Sequence, residues 1–257
     1  MALAMLDTGG GGAGRIGVLP FAAEPPVAGR SGFEERPSGD VELPPPGVPL
    51  VVALGILHPI RQPLRLLEAF ATACEAVTDA RLAFVGPAPE ALRDEVLDRA
   101  ESLGLSGSVV VTGQIDTAGF LAWAGRATVA VQLRERWNGE ASGSIGECVV
   151  AGVPLMVADL GWMHELPDDC VVKVDPGTTA AQLGDMIAAV LLDEDRRLEL
   201  RRAALEFAPR LSFRHSAEVL VEQLFGTPQS PAGDLTSPPG RTTRSTRRTG
   251  SRSAGRS

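Results

Sequence analysis

From Leu50 onward the chain alternates short apolar runs with stretches whose apolar residues recur at helical spacing. The runs at 51–55, 81–86, 108–113, 128–132, 155–158 and 170–174 predict strands, and the stretches at 64–77, 90–103, 117–125 and 144–151 predict helices between them. Strands this apolar, regularly separated by helices, belong to a parallel sheet covered on both faces, so the fold class is α/β. Three more helices are expected at 180–192, 195–207 and 212–225. The last of these opens on Ser212 as N-cap and by its spacing buries Val219, Leu220 and Leu224.

The flanks lack this regularity. Ile16-Gly17-Val18-Leu19 predicts one brief strand after the glycine run at 9–14, and the Pro, Gly and acidic residues from Ala22 to Pro49 read as a linker stiffened by Pro44-Pro45-Pro46. Beyond Phe225 no apolar period remains, and residues 226–257 read as a disordered Ser/Thr/Arg/Pro/Gly tail. The expected organisation is therefore a leader and linker remnant at 1–47, a domain at 48–225 and the tail.

Charge sharpens that division. The net −8 of the whole chain includes a tail with six arginines against Asp234, which leaves about −13 on the rest. An acidic folded part is a poor partner for nucleic acid, and the basic tail is suited to peripheral contact with an anionic membrane. No apolar run approaches the ~20 residues of a membrane span, and the N-terminus lacks the pattern of a signal peptide. Cys74, Cys148 and Cys170 form neither a disulfide framework nor a metal spacing, which fits a reducing cytoplasm.

The candidate chemistry gathers on the loops that follow strands. Leu133 to Ala158 reads as a polar loop carrying Glu140, a Ser/Gly-rich helix start, a short helix carrying Glu147, a Gly-Val-Pro break and a strand. A helix start above a sheet offers unpaired N–H groups and the positive end of a dipole, which suits a phosphate. Gly139, Ser142, Gly143 and Ser144 in the same loop allow close backbone approach by a ligand. Arg61, in the turn after the first sheet strand, is placed to grip a diphosphate. The run at 9–14 follows no strand, and Pro87 and Pro89 replace the glycines a pyrophosphate would need near Gly86, so a dinucleotide reading is weak. His58, His164 and His215 have no nucleophile partner and make no metal constellation with the acids, so no obligate metal is expected.

These residues resemble the nucleotide-sugar-binding half of a retaining glycosyltransferase of family 4, over roughly residues 48–225. The likeness rests on the turn from Gly55 to Arg61, on Leu82-Ala83-Phe84-Val85-Gly86, on Val109-Val110-Val111-Thr112-Gly113, on the segment from Glu140 to Glu147, on Ala151-Gly152-Val153-Pro154, and on Gly161-Trp162-Met163-His164-Glu165-Leu166-Pro167. It implies a Rossmann-like doubly wound sheet, one of the two facing domains of the GT-B architecture. Arg61 stands where the family has a lysine on the donor diphosphate. Glu140 resembles the first acid of the family's glutamate pair, on the donor sugar, and Glu147 the second, on the ribose. Backbone around Ala141, Ser142, Gly143 and Ser144 would contact sugar and phosphates, and Gly113 and Gln114 the base. The implied donor is a nucleotide diphosphate sugar, used as substrate without a further cofactor.

Three departures accompany the likeness. Ile56 occupies the place of the family's arginine, and six residues separate the glutamates where seven are usual, which puts Gly139 in the strict register. The acceptor-binding domain has no counterpart among these residues, so weak or absent transfer is expected from this polypeptide alone. The alternatives are a non-catalytic or truncated donor-binding module, half of a split enzyme whose acceptor domain is a separate polypeptide, and a nucleotide-sugar epimerase of similar architecture.

Overall fold

The computed structural model describes residues 2–4, 17–19, 22–23 and 42–225. Ala2–Ala4 (β1) and Gly17–Leu19 (β2) pair antiparallel, so the brief strand expected near 16–19 is present, with a partner that the apolar pattern did not announce. The glycine run at 9–14, residues 24–41 of the linker and the tail at 226–257 lie outside the described residues.

Six strands make the main sheet: β3 (Leu50–Leu54), β4 (Arg81–Val85), β5 (Val109–Val111), β6 (Val129–Gln132), β7 (Leu155–Ala158) and β8 (Val172–Val174). All neighbouring pairs run parallel, in the order β5-β4-β3-β6-β7-β8. Successive residues of a strand point to opposite faces, and here both faces are apolar. Leu50, Val52 and Leu54 enter one core, whereas Val51 enters the other. Helices α1 (Pro63–Ala76), α2 (Glu90–Ser102) and α5 (Ala180–Leu192) cover the Val51 face with Phe70, Val96 and Ile187 among their buried residues. Helices α3 (Thr117–Arg126), α4 (Gly143–Ala151) and α6 (Glu194–Phe207) cover the other with Trp123, Ile145 and Ala204. The expected doubly wound parallel sheet is the observed one.

Local chemistry sets the helix starts. Asp116 accepts from Gly119 N (2.7 Å), Thr179 and Gln182 form a reciprocal capping box, and Asp193 accepts from Arg196 N (2.9 Å). Ser212 accepts from His215 N (3.1 Å) at the head of α7 (Phe213–Phe225), as its sequence position predicts. The packing of α7 departs from expectation. Val219 and Leu220 are half-buried and Leu224 is 39% exposed, because α7 lies on the rim against β2 and the 3₁₀ turn Ala208–Leu211, with no second layer above it among the described residues. Periodicity identified its apolar face but not whether anything covers that face.

The segment ahead of β3 is tied to the sheet. Arg126, at the end of α3, donates to the carbonyls of Pro44 (3.2 Å), Pro45 and Val48 (2.7 Å).

Candidate functional site

The strand order reverses between β3 and β6, and the chain leaves those two strands in opposite directions. A crevice opens at the carboxyl ends of such a pair, which is where ligands bind in open parallel sheets. Here it is lined by Leu54, Gly55, Ile56, Leu57, Arg61, Gln132 and Leu133, among others.

Glycines let the crevice form. The Gly55 N–H donates to Val85 O (2.8 Å) and Gly86 sits at φ +135. A Cβ at Gly86 would lie 2.6 Å from Gly55 O, so the two strand ends touch only because residue 86 has no side chain. Gly86 also bridges to Gly113 at the end of β5, and Thr112 Oγ1 accepts from Gly86 N (3.1 Å). Gly113 and exposed Gln114 thus stand on the same carboxyl edge, two strands from Arg61.

Arg61 ends the 3₁₀ turn Pro59–Arg61 and folds back over β3. Its Nη1 donates to Leu54 O (2.9 Å) and to Gln132 Oε1 (3.0 Å), and Gln132 Nε2 donates to the same Leu54 carbonyl (3.0 Å). One nitrogen therefore locks the guanidinium in place, leaving Nε and Nη2 for a ligand. Burial and the nearby Arg134 charge pull the Arg61 guanidinium down to about 10, against the opposing pull of Glu140. Burial likewise lowers Arg134, again opposed by Glu140. Gln132 and Arg134 are both buried and were not singled out from the sequence. A lone glutamine ending the run Val-Ala-Val-Gln was the available signal for the first; for Arg134, inside Leu-Arg-Glu-Arg, a solvated loop was the natural expectation.

The acid loop is exposed from Glu135 to Glu140 and carries its own brace. Trp137 Nε1 donates to Glu140 O (2.7 Å), and Asn138 N donates to Glu140 Oε2 (3.1 Å). The Trp137 ring rests on Gly161, in the 3₁₀ turn Gly161–Glu165 after β7, where a Cβ would meet the indole at 2.2 Å. Among the described residues, Glu140 Oε1 makes no hydrogen bond.

Helix α4 begins differently from α3, α5, α6 and α7. Ser142 at its N-cap makes no side-chain capping bond, and its hydroxyl lies 3.3 Å from that of Ser144. Ser142 and Ser144 are buried, Ala141 is half-buried and Gly143 is exposed. Glu147 follows in the second turn, half-buried, and burial raises its carboxyl above the ordinary carboxylate range. No hydrogen bond or ion pair to another described residue holds that carboxylate.

Arg61, Glu140 and the newly found Arg134 are thus within electrostatic reach of one another. The histidines lie elsewhere in role: His58 Nδ1 accepts from Ile60 N (3.2 Å), and His164 Nδ1 meets Asp159 Oδ1 at 2.6 Å. Among the described residues, no group of three or more His, Cys, Asp or Glu is arranged to hold a metal ion, and no helix is long and apolar enough to cross a membrane.

The family described as glycosyl transferases group 1 matches over residues 48–193. No curated protein matches the chain in sequence. Among solved structures, the C-terminal domain of a glycosyl transferase group 1 family protein (LpcC) from Francisella tularensis is similar with a TM-score of 0.58 at 16% identity, over 65% of this chain and 88% of that one. HepE from Anabaena, in complex with UDP, is similar with a TM-score of 0.60 at 19% identity, over 68% of this chain and 48% of that one. Sucrose-phosphate synthase from Thermosynechococcus elongatus gives 0.59 at 21% identity, over 70% and 46%. At these identities the likeness is one of fold, and the chain spans about half the length of the latter two proteins.

Proposed function

Because the chain belongs to the glycosyl transferases group 1 family, we propose that its crevice is a donor site for a nucleotide diphosphate sugar. One observation carries the reading: a half-buried, braced guanidinium lines the crevice at the strand reversal, and a half-buried carboxylate with no partner among the described residues stands on the helix that follows β6. In this reading Arg61 grips the diphosphate, Glu147 accepts from the ribose hydroxyls and Glu140 Oε1 accepts from a sugar hydroxyl. Backbone groups of Ala141, Ser142, Gly143 and Ser144 receive the sugar and phosphates, and those of Gly113 and Gln114 the base.

The reaction is transfer of the sugar to an acceptor hydroxyl with retention at the anomeric carbon, in the synthesis of a glycan or glycoconjugate. Negative charge grows on the departing diphosphate as the glycosidic bond breaks. Arg61 and the positive end of α4 face that charge already fixed in place, so little reorganisation is needed when it appears. Glu140 orients the sugar, and no protein-bound metal is required. A reducing cytoplasmic setting accompanies this reading, since the thiols of Cys74, Cys148 and Cys170 are free.

That HepE is solved in complex with UDP and with UDP-glucose supports the reading. Calorimetry with UDP and GDP tests it: at least one should bind, and both Arg61→Ala and Glu147→Ala should weaken it by about tenfold or more, the scale for losing charge-assisted hydrogen bonds. Unaltered affinity in both variants would refute the site.

A second reading is favoured by the span of the match, about half the length of HepE and of the sucrose-phosphate synthase. Here the acceptor groups come from residues beyond the matched domain, on this or another polypeptide. Co-purification of an acceptor-domain partner, or transfer restored by adding one, distinguishes it.

A further inference from the structure

We propose that Arg134 is the second guanidinium of this site, gripping the same diphosphate as Arg61; the inference rests on the donor-site reading above. It starts from the backbone. Glu135 N–H donates to Ile60 O (2.8 Å), so the residue after Arg134 is bonded to the residue before Arg61. That single cross-loop bond sets the two arginines side by side, one leaving β6 and the other closing the turn after β3. Leu133, which precedes Arg134, lines the crevice with Arg61.

Burial makes this pairing unusual. Arg134 is only 8% exposed, yet its side chain makes one hydrogen bond, from Nη1 to the carbonyl of the adjacent Leu133 (3.1 Å). Neither Arg134 nor Arg61 has a carboxylate within ion-pair distance among the described residues. The neighbouring acid Glu135 turns instead toward Arg136, at 4.0 Å, out in solvent. Glu140 acts on both arginines only through space.

Buried arginines are ordinarily paired, because an uncompensated buried charge is costly and two adjacent ones repel. An arrangement of that kind, with its own scaffold bonds, is stable as a waiting anion site and wasteful as mere architecture. A diphosphate supplies what both guanidiniums lack: several anionic oxygens, matched to the planar fork of arginine. Ile56, which lines the crevice and is 55% exposed, contributes no charge there, and Arg134 would add a second cation beside Arg61.

The opposing possibility is that Arg134 is a strut for the Leu133 carbonyl, and the two roles differ in what they move. In the full chain, Arg134→Gln should lower the affinity for UDP or GDP by about ten- to hundredfold, the range for losing charge-assisted hydrogen bonds. Inorganic pyrophosphate should lose affinity in parallel, whereas uridine and guanosine should bind as they do to the wild type. Arg134→Lys, which keeps the charge and loses the fork, should fall between. The thermal midpoint of the unliganded Arg134→Gln protein should be unchanged or raised, because a repulsion has been removed. Wild-type diphosphate affinity in Arg134→Gln, equal loss for nucleosides and diphosphates, or a lowered unliganded midpoint or unfolding of that variant would each assign Arg134 to the scaffold and overturn the inference. If the wild type itself binds neither nucleoside diphosphates nor pyrophosphate, the donor-site reading falls first and takes the inference with it.

Discussion

Glu147 illustrates how a single side chain here is set for binding at the expense of stability. Its carboxyl is raised by burial and meets no partner among the described residues, so the folded state holds the proton more tightly than the unfolded chain does. The sign follows: the destabilisation is fully present above the raised folded value and is lost as pH falls below the ordinary unfolded one. Glu147→Gln should therefore raise the melting temperature at neutral pH, and thermal scans of both proteins should converge in acid. A midpoint lowered at neutral pH would contradict this. The same variant should lose donor affinity, since a glutamine amide accepts less strongly than a carboxylate. Arg61 and Glu147 stood out as candidates in the sequence, because each lies in or just after a loop that leaves a predicted strand. Gln132 and Arg134 were not, because their burial is fixed by Leu54 and Ile60, more than seventy residues away, and no local pattern carries that information.

At the scale of elements, the acid loop and the turn after β7 behave as one unit. Gly161 has φ +53 and leaves room for the Trp137 ring, whose Nε1 holds the Glu140 carbonyl. Gly161→Ala should push the indole away and release Glu140 while leaving Arg61 and Glu147 in place. The expected result is a nucleotide sugar that binds no better than its parent nucleoside diphosphate, with the affinity for the diphosphate nearly unchanged; calorimetry with both ligands measures the difference. Retained preference for the sugar would show that the brace is dispensable. The strands and most helices were readable from apolar runs and helical spacing to within about two residues at either end, the usual margin for element boundaries. Two features were less so. The turn Gly161–Glu165 is held by its packing and not by a period, and α7 keeps its helical spacing while Phe213 (59% exposed) and Phe225 (81% exposed) remain open to solvent.

For the whole molecule, the decisive property is the order of the strands. The alternation of strand and helix predicts a parallel sheet, but the reversal between β3 and β6, which creates the crevice, is a long-range choice made by packing on both faces. The resemblance to family 4 glycosyltransferases supplied what periodicity could not. On the donor-site reading the protein should be stabilised by its donor: thermal scans should show a higher midpoint with the cognate nucleotide sugar. An unchanged midpoint with every nucleotide sugar tried would overturn that expectation. The brace on Gly161 has one more consequence, an optical one. The chain contains three tryptophans and no tyrosine, so its near-ultraviolet emission comes from Trp123, Trp137 and Trp162. Trp123 and Trp162 are buried, whereas Trp137 is 43% exposed and sits on the loop that carries Glu140. A soluble quencher such as iodide therefore reaches one emitter, and the protein carries its own fluorescent gauge of whether that loop is open or covered.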